Sequence, residues 1–240
     1  MSYDLSALPP LKRHWIVRNA NIPTRFFGLG PEDVEEKIGS FAPEIQDWTD
    51  KFLAGKVVKT VGGLGTTGVG LLFDGQAGLG KTTHAVVALM EAIRQLPDDA
   101  EQAKQVLHYT GETYSIKSRP IYYMTFPEFL QRKKAIIEAD ADSKRNMILE
   151  MEGFHGRSDF DHLNVRLLVL DDLGKEYSTE YSSSGFDEVL RSRYDKGLPT
   201  IITTNVLREN WGKKYGDAMG SFVYEAFVRV IIGKKDLRRN

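Results

Sequence analysis

The stretch Gly68 to Val87, GVGLLFDGQAGLGKTTHAVV, decides the fold. It opens as a short apolar run closed by Asp74, the pattern of a buried strand, and from Lys81 it continues as a helix-like segment reaching Leu96. Between them GQAGLGKT is a complete match to G-x-x-x-x-G-K-[ST], set where strand gives way to helix. Gly75, Gln76, Ala77, Gly78, Leu79, Gly80, Lys81, Thr82 and Thr83 are therefore read as a phosphate-binding loop. Its glycines let backbone amides wrap phosphate oxygens, and the positive end of the following helix faces them. Lys81 reaches the β and γ phosphates, and the Thr82 hydroxyl is placed to ligate Mg2+.

Three more strand-like runs lie downstream: Ile121 to Phe126, Arg166 to Asp172 and Thr200 to Asn205. Helix-like segments, Lys81 to Leu96, Pro127 to Ala139 and Phe186 to Lys196, separate the four strands. Near-continuous apolar strands alternating with helices predict an α/β fold with a central parallel sheet covered on both faces. Ligands of such sheets bind beyond the carboxyl ends of the strands. RLLVLDDLG delivers Asp171 and Asp172 to one such end, roughly ninety residues after Lys81. Asp171 is expected to hold magnesium through water, and Asp172 to orient or deprotonate an attacking water. Aspartate is a shorter arm than the glutamate common at the second position, which implies slow hydrolysis. TIITTN offers Thr203, Thr204 and Asn205 at a third strand end.

Other patterns are set aside. GLGTTG, Gly63 to Gly68, matches a dinucleotide fingerprint but precedes a strand instead of opening a helix, so it is expected to be a mobile connection or a hairpin turn. Asp140 and Asp142 lack the glycine and terminal glutamate of a calcium loop. The five histidines show no zinc spacing, so no metal beyond magnesium is expected. There is no N-K-x-D guanine signature, and the strand IYYMTF is an addition that favours the ATPase branch over the GTPase branch. Ser178 to Gly185 reads as a flexible loop, and Met1 to about Gly30 as an irregular arm with apolar anchors. In the arm, Trp15 serves either a partner or its own core.

With 240 residues, 41% hydrophobic and 27% charged, the chain is expected to be an ordinary globular protein, not a disordered tail. It has no cysteine, which removes disulfides, thiol nucleophiles and thiolate zinc sites and agrees with a reducing cytoplasm. No apolar run approaches membrane-spanning length. The formal charge of −1 makes no global demand for a polyanion, so nucleic-acid binding needs a local patch. Arg132, Lys133 and Lys134, with Lys144 and Arg145 nearby, form that candidate patch.

NIPTRFF, GQAGLGKT, YYMTFPEFL, VLDDLG, TIITTN and GKKDLR together resemble AAA+ ATPases, and more narrowly the DnaC/IstB family of helicase loaders and transposition ATPases. The resemblance covers about Asn21 to Arg238 and divides the chain into an arm, 1–30, and an AAA+ domain, 31–240. It implies a three-layer P-loop fold with the strand order of the additional-strand class, ATP and Mg2+ as ligands, a replicative helicase and single-stranded DNA as partners, and homo-oligomers formed on nucleotide or partner binding. It further implies that Ile22, Pro23 and Phe26 lie near adenine, that Asn205 is the first sensor, and that Arg238 is the second. The arginine finger expected before the final strand is missing from GSFVYEAF, leaving Arg191, Arg193 or Arg229 as substitutes. A small-molecule P-loop kinase, which needs an arginine-rich lid, and a nucleotide-gated structural protein are the competing expectations.

Overall fold

The computed structural model describes residues 3–39, 41–55, 58–60, 66–109, 117–175 and 180–232. A short antiparallel pair, β1 (Val58–Thr60) and β2 (Thr66–Gly68), leads into β3 (Gly70–Asp74), so Thr66 to Gly68, expected in a connection or hairpin turn, is strand, and Gly63 to Gly65 lie outside the described residues. The remaining strands are β4 (Ile121–Thr125), β5 (Leu167–Leu173), β6 (Thr200–Thr204) and β7 (Phe227–Val230). β3 to β7 form one parallel sheet in the order β4-β5-β6-β3-β7. β6, not β4, the IYYMTF strand read as the addition, lies between the phosphate-loop strand and the acidic strand, and β4 stands at the sheet edge beyond β5. β7, a four-residue edge strand, was not among the predicted runs.

Alternation along each strand sorts its residues between two cores. Leu71, Phe73, Ile121, Tyr123, Leu167, Val169 and Ile201 face one, while Leu72, Tyr122, Met124, Leu168, Leu170 and Ile202 face the other. On the first face lie α1 (Pro10–His14), α2 (Pro31–Ile38), α3 (Pro43–Leu53), α4 (Lys81–Arg94) and α5 (Ala100–Val106). The second is covered by α6 (Phe126–Glu138), α7 (Ala141–His155), α8 (Glu180–Asp195), α9 (Trp211–Tyr215) and α10 (Asp217–Ala226). The result is a three-layer α/β sandwich. None of the described helices is long and apolar enough to cross a membrane.

Two local readings are corrected, and Asp140 gains a role. The serine-rich stretch is helical from Glu180 onward: Phe186, Val189 and Leu190 bury one side of α8, and tertiary packing outweighs weak local propensity. Ser178 and Thr179 lie outside the described residues. Asp140, instead of merely failing as a calcium ligand, caps α7 by accepting hydrogen bonds from the backbone N–H of Asp142 and Ser143 at 3.1 and 3.0 Å. The amino-terminal arm, expected to be irregular, holds α1 and a π-helical turn, Trp15–Asn19, in which Trp15 and Ile16 are completely buried in the first core. Lys12, also buried, donates to the carbonyls of Arg94 and Leu96 and to Asp98 Oδ1, closing the carboxyl end of α4.

Candidate nucleotide site

The site lies where β3, β5 and β6 end. After Asp74 the chain must turn sharply into α4, and Gly78 and Gly80 do so with φ of 90° and 78°, left-handed values that a side chain disfavours. α4 then starts at Lys81 with its N-terminus toward the cleft. Lys81 Nζ donates to Gly75 O at 2.9 Å, Gln76 O at 2.7 Å and Asn205 Oδ1 at 2.9 Å. Phosphate-loop lysine and strand-end asparagine, 124 positions apart, are thus in direct contact.

Asp171 is buried and accepts three hydroxyl hydrogen bonds. Thr82 and Thr203 donate to its Oδ1 at 2.8 and 2.5 Å, and Tyr123 donates to its Oδ2 at 2.7 Å. Burial, and then the adjacent Asp171 charge, raises the Tyr123 pKa far above its usual value, so the phenol remains a proton donor. A carboxylate fixed 2.8 Å from the loop threonine suits a divalent cation that rests on phosphate, hydroxyl and water oxygens.

The second carboxylate depends on an irregularity in β5. In a regular strand Asp171 and Asp172 would point to opposite faces. The pairing instead jumps from Leu170 opposite Ile202 to Leu173 opposite Thr204, so two aspartates stand against Thr203 alone. Asp172 takes a left-handed φ of 61°, and Leu173 assumes the parity that Asp172 would have had, packing into the second core. Thr203 Oγ1 holds the bulge by accepting from Asp172 N–H at 3.0 Å while donating to Asp171. Thr204 ties the next position through Leu173 O at 2.7 Å.

A cleft of about 420 Å³ gathers these groups: Arg25, Phe26, Ala77, Gly78, Gly80, Lys81, Thr82, Thr83, Asp172, Lys175 and Asn205 line it. Leu79 packs against the first core, Gly75 and Gln76 contribute carbonyls to Lys81, and Asp171 sits behind Thr82. Of the residues the resemblance set near adenine, Phe26 borders the cleft and Ile22 is buried in the core beside it. Arg238 lies outside the described residues. Tyr123, Arg25 and Lys175 escaped the sequence reading, and Thr203, read there only as a strand-end residue, proves to hold the bulge. The parity of IYYMTF, which puts Tyr123 on the α4 side, was the available signal for the first of them.

No family model and no curated protein sequence matches the chain. Among solved structures, the crystal structure of DnaI is similar with a TM-score of 0.55 at 17% identity, over 89% of this chain and 96% of that one. The DnaC helicase loader gives 0.49 at 20% identity over 79% and 86%, and AMPPCP-bound DnaA from Aquifex aeolicus gives 0.43 at 18% over 80% and 47%. The fold is that of DnaI. This DnaI-like sandwich has three layers and carries the GQAGLGKT loop between β3 and α4.

The finger substitutes fare unequally on the DnaI-like frame. Arg193 is wholly buried and is corrected to a structural residue: it donates to Thr200 Oγ1 and to the carbonyls of Phe154, Val165, Arg166 and Pro199, at 2.8 to 3.3 Å. Burial draws its pKa down to about 9, still cationic at neutral pH. It cannot reach another subunit. Arg229 is engaged by Asp74 and Glu209, and Arg191 by Asp187. In the candidate DNA patch, Arg132 is held by Glu128, Glu150 and the Tyr122 hydroxyl, and Lys133 by Glu188 at 2.8 Å. Lys134, paired with Glu138 only at 3.9 Å, extends into solvent.

Proposed function

We propose that the chain binds ATP with Mg2+ and uses that site to govern its grip on a replicative helicase during loading onto single-stranded DNA. The nucleotide half is carried by one observation, the convergence of Lys81, Thr82, Asp171, Asp172 and Asn205 at the carboxyl ends of three parallel strands. Lys81 and the loop amides would hold the β and γ phosphates, and Thr82 with Asp171 would hold the cation, which neutralises charge on the phosphates. Asp172 and Asn205 would act on the lytic water, and Phe26 would border the base. A short second carboxylate and engaged arginines favour slow turnover.

The helicase-loader half rests on the DnaC/IstB-like motif set carried on a DnaI-like fold. Single-stranded DNA would follow the α6 and α7 side through Lys134, Lys144 and Arg145, all exposed, with self-assembly on nucleotide or partner binding. The kinase reading loses support because Arg193 is fixed in the core and Arg191 is held by Asp187.

Light scattering of the protein mixed with a candidate replicative helicase, with ATP or ADP, tests the proposal. A complex of defined stoichiometry is expected, and its nucleotide dependence is expected to vanish in Lys81→Ala. No complex in any nucleotide state overturns the loader reading, and DNA-stimulated turnover then separates a transposition-type ATPase from a kinase.

A further inference from the structure

Lys175 is a cation inside the cleft that the motifs do not account for. Its ammonium donates to Asp172 Oδ2 at 2.7 Å, and its backbone N–H returns to Asp172 O at 3.4 Å, closing a tight turn on the bulge. The turn is pinned from outside. Gly174, at φ 94°, offers its carbonyl to Lys214 Nζ of α9 at 2.9 Å, and a Cβ at Gly174 would lie only 2.8 Å from Val206 Cγ2. Lys175 is therefore presented by a braced turn.

The ion pair is half in solvent, with the Lys175 side chain 51% exposed and that of Asp172 35%. Exposed pairs of this kind hold weakly. Across the same cleft stand Lys81 and Asn205, which mark where the terminal phosphate of a bound triphosphate would sit. A phosphate carries more charge and more acceptor oxygens than a carboxylate. We infer that Lys175 is a γ-phosphate sensor acting in cis: a nucleoside triphosphate draws its ammonium away from Asp172, whereas a diphosphate leaves the pair intact. One lysine would then add charge at the γ position and release the carboxylate expected to act on water. The inference rests on the nucleotide reading above and assigns that site its discrimination between tri- and diphosphate.

The test is calorimetric titration of the full chain with Mg2+ and either ADP or AMPPNP, an analogue retaining a γ-phosphate. Lys175→Met is expected to weaken AMPPNP binding roughly tenfold while leaving ADP binding within about twofold, and Lys175→Arg is expected to restore most of the difference. Asp172→Asn is expected to tighten AMPPNP binding, but not in the Lys175→Met background. Equal losses for both nucleotides in Lys175→Met, or an Asp172→Asn effect independent of Lys175, would overturn the sensor. Failure of the wild-type protein to bind either nucleotide would instead sink the underlying site assignment, and the sensor with it. Circular dichroism of each variant separates misfolding from altered recognition.

Discussion

Tyr123 lies in the YYMTFPEFL block without a role assigned to it from sequence, and the structure sets it against the candidate site. It stands on the edge strand β4, yet its hydroxyl reaches Asp171 Oδ2 at 2.7 Å and leaves Oδ1 to the two threonines. Groups that orient a metal-holding carboxylate are typically worth 10- to 100-fold in metal affinity. Tyr123→Phe is therefore expected to raise the Mg2+ concentration needed for half-maximal ATP binding roughly tenfold with little loss of stability, as a Mg2+ titration of nucleotide fluorescence would measure. An unchanged Mg2+ requirement would remove Tyr123 from the site. Lys81, Thr82, Asp171, Asp172 and Asn205 were legible because each falls in a motif or at a strand end. Tyr123 was not, and neither was the hold of Thr203 on the bulge, since both follow from register, and Lys175 became visible only with the turn that folds it back.

At the scale of elements, four strands were readable because strands buried on both faces are continuous apolar runs. β7 escaped because FVRV is brief and carries Arg229, and α7 because only its later residues, Met151 and Phe154 among them, enter the core. α4 spans 14 residues, about 21 Å, with phosphate-loop contacts at one end and the Lys12 ammonium at the other. A buried charged donor on helix-end carbonyls contributes more than a neutral hydrogen bond, so Lys12→Met is expected to lower unfolding free energy by about 1.5–3 kcal/mol. Urea denaturation measures this. A change below about 0.5 kcal/mol, the range of ordinary surface substitutions, would contradict the capping role.

For the molecule as a whole, acid response follows from a network joining α6, α7 and α8. Arg157 Nη2 bridges His155 Nδ1 and Glu188 Oε1 at 2.7 and 2.8 Å, and Lys133 holds the other Glu188 oxygen. Burial, reinforced by the Arg157 charge, lowers the His155 pKa from 6.5 to about 4. Glu188 falls to about 2, because hydrogen bonds from Lys133 and Arg157 outweigh a burial effect of opposite sign. Both folded-state values lie below the ordinary ones. The His155 contribution is therefore intact above pH 6.5 and lost as pH falls toward 4, and that of Glu188 is lost from about 4.5 toward 2. Thermal unfolding is expected to drop from pH 6.5 downward, at up to about 1.4 kcal/mol per pH unit for one titrating group. His155→Gln is expected to flatten the upper part of that curve, and an identical curve in the variant would exclude the histidine as its source. The bulge in β5 has a consequence of another kind. Because Leu173 takes over the packing duty next along the strand, the side chain at 172 is released from the core, and its left-handed φ of 61° narrows the residues that fit there to those tolerating that backbone. The bulge, instead of the core, therefore sets what residue 172 can be.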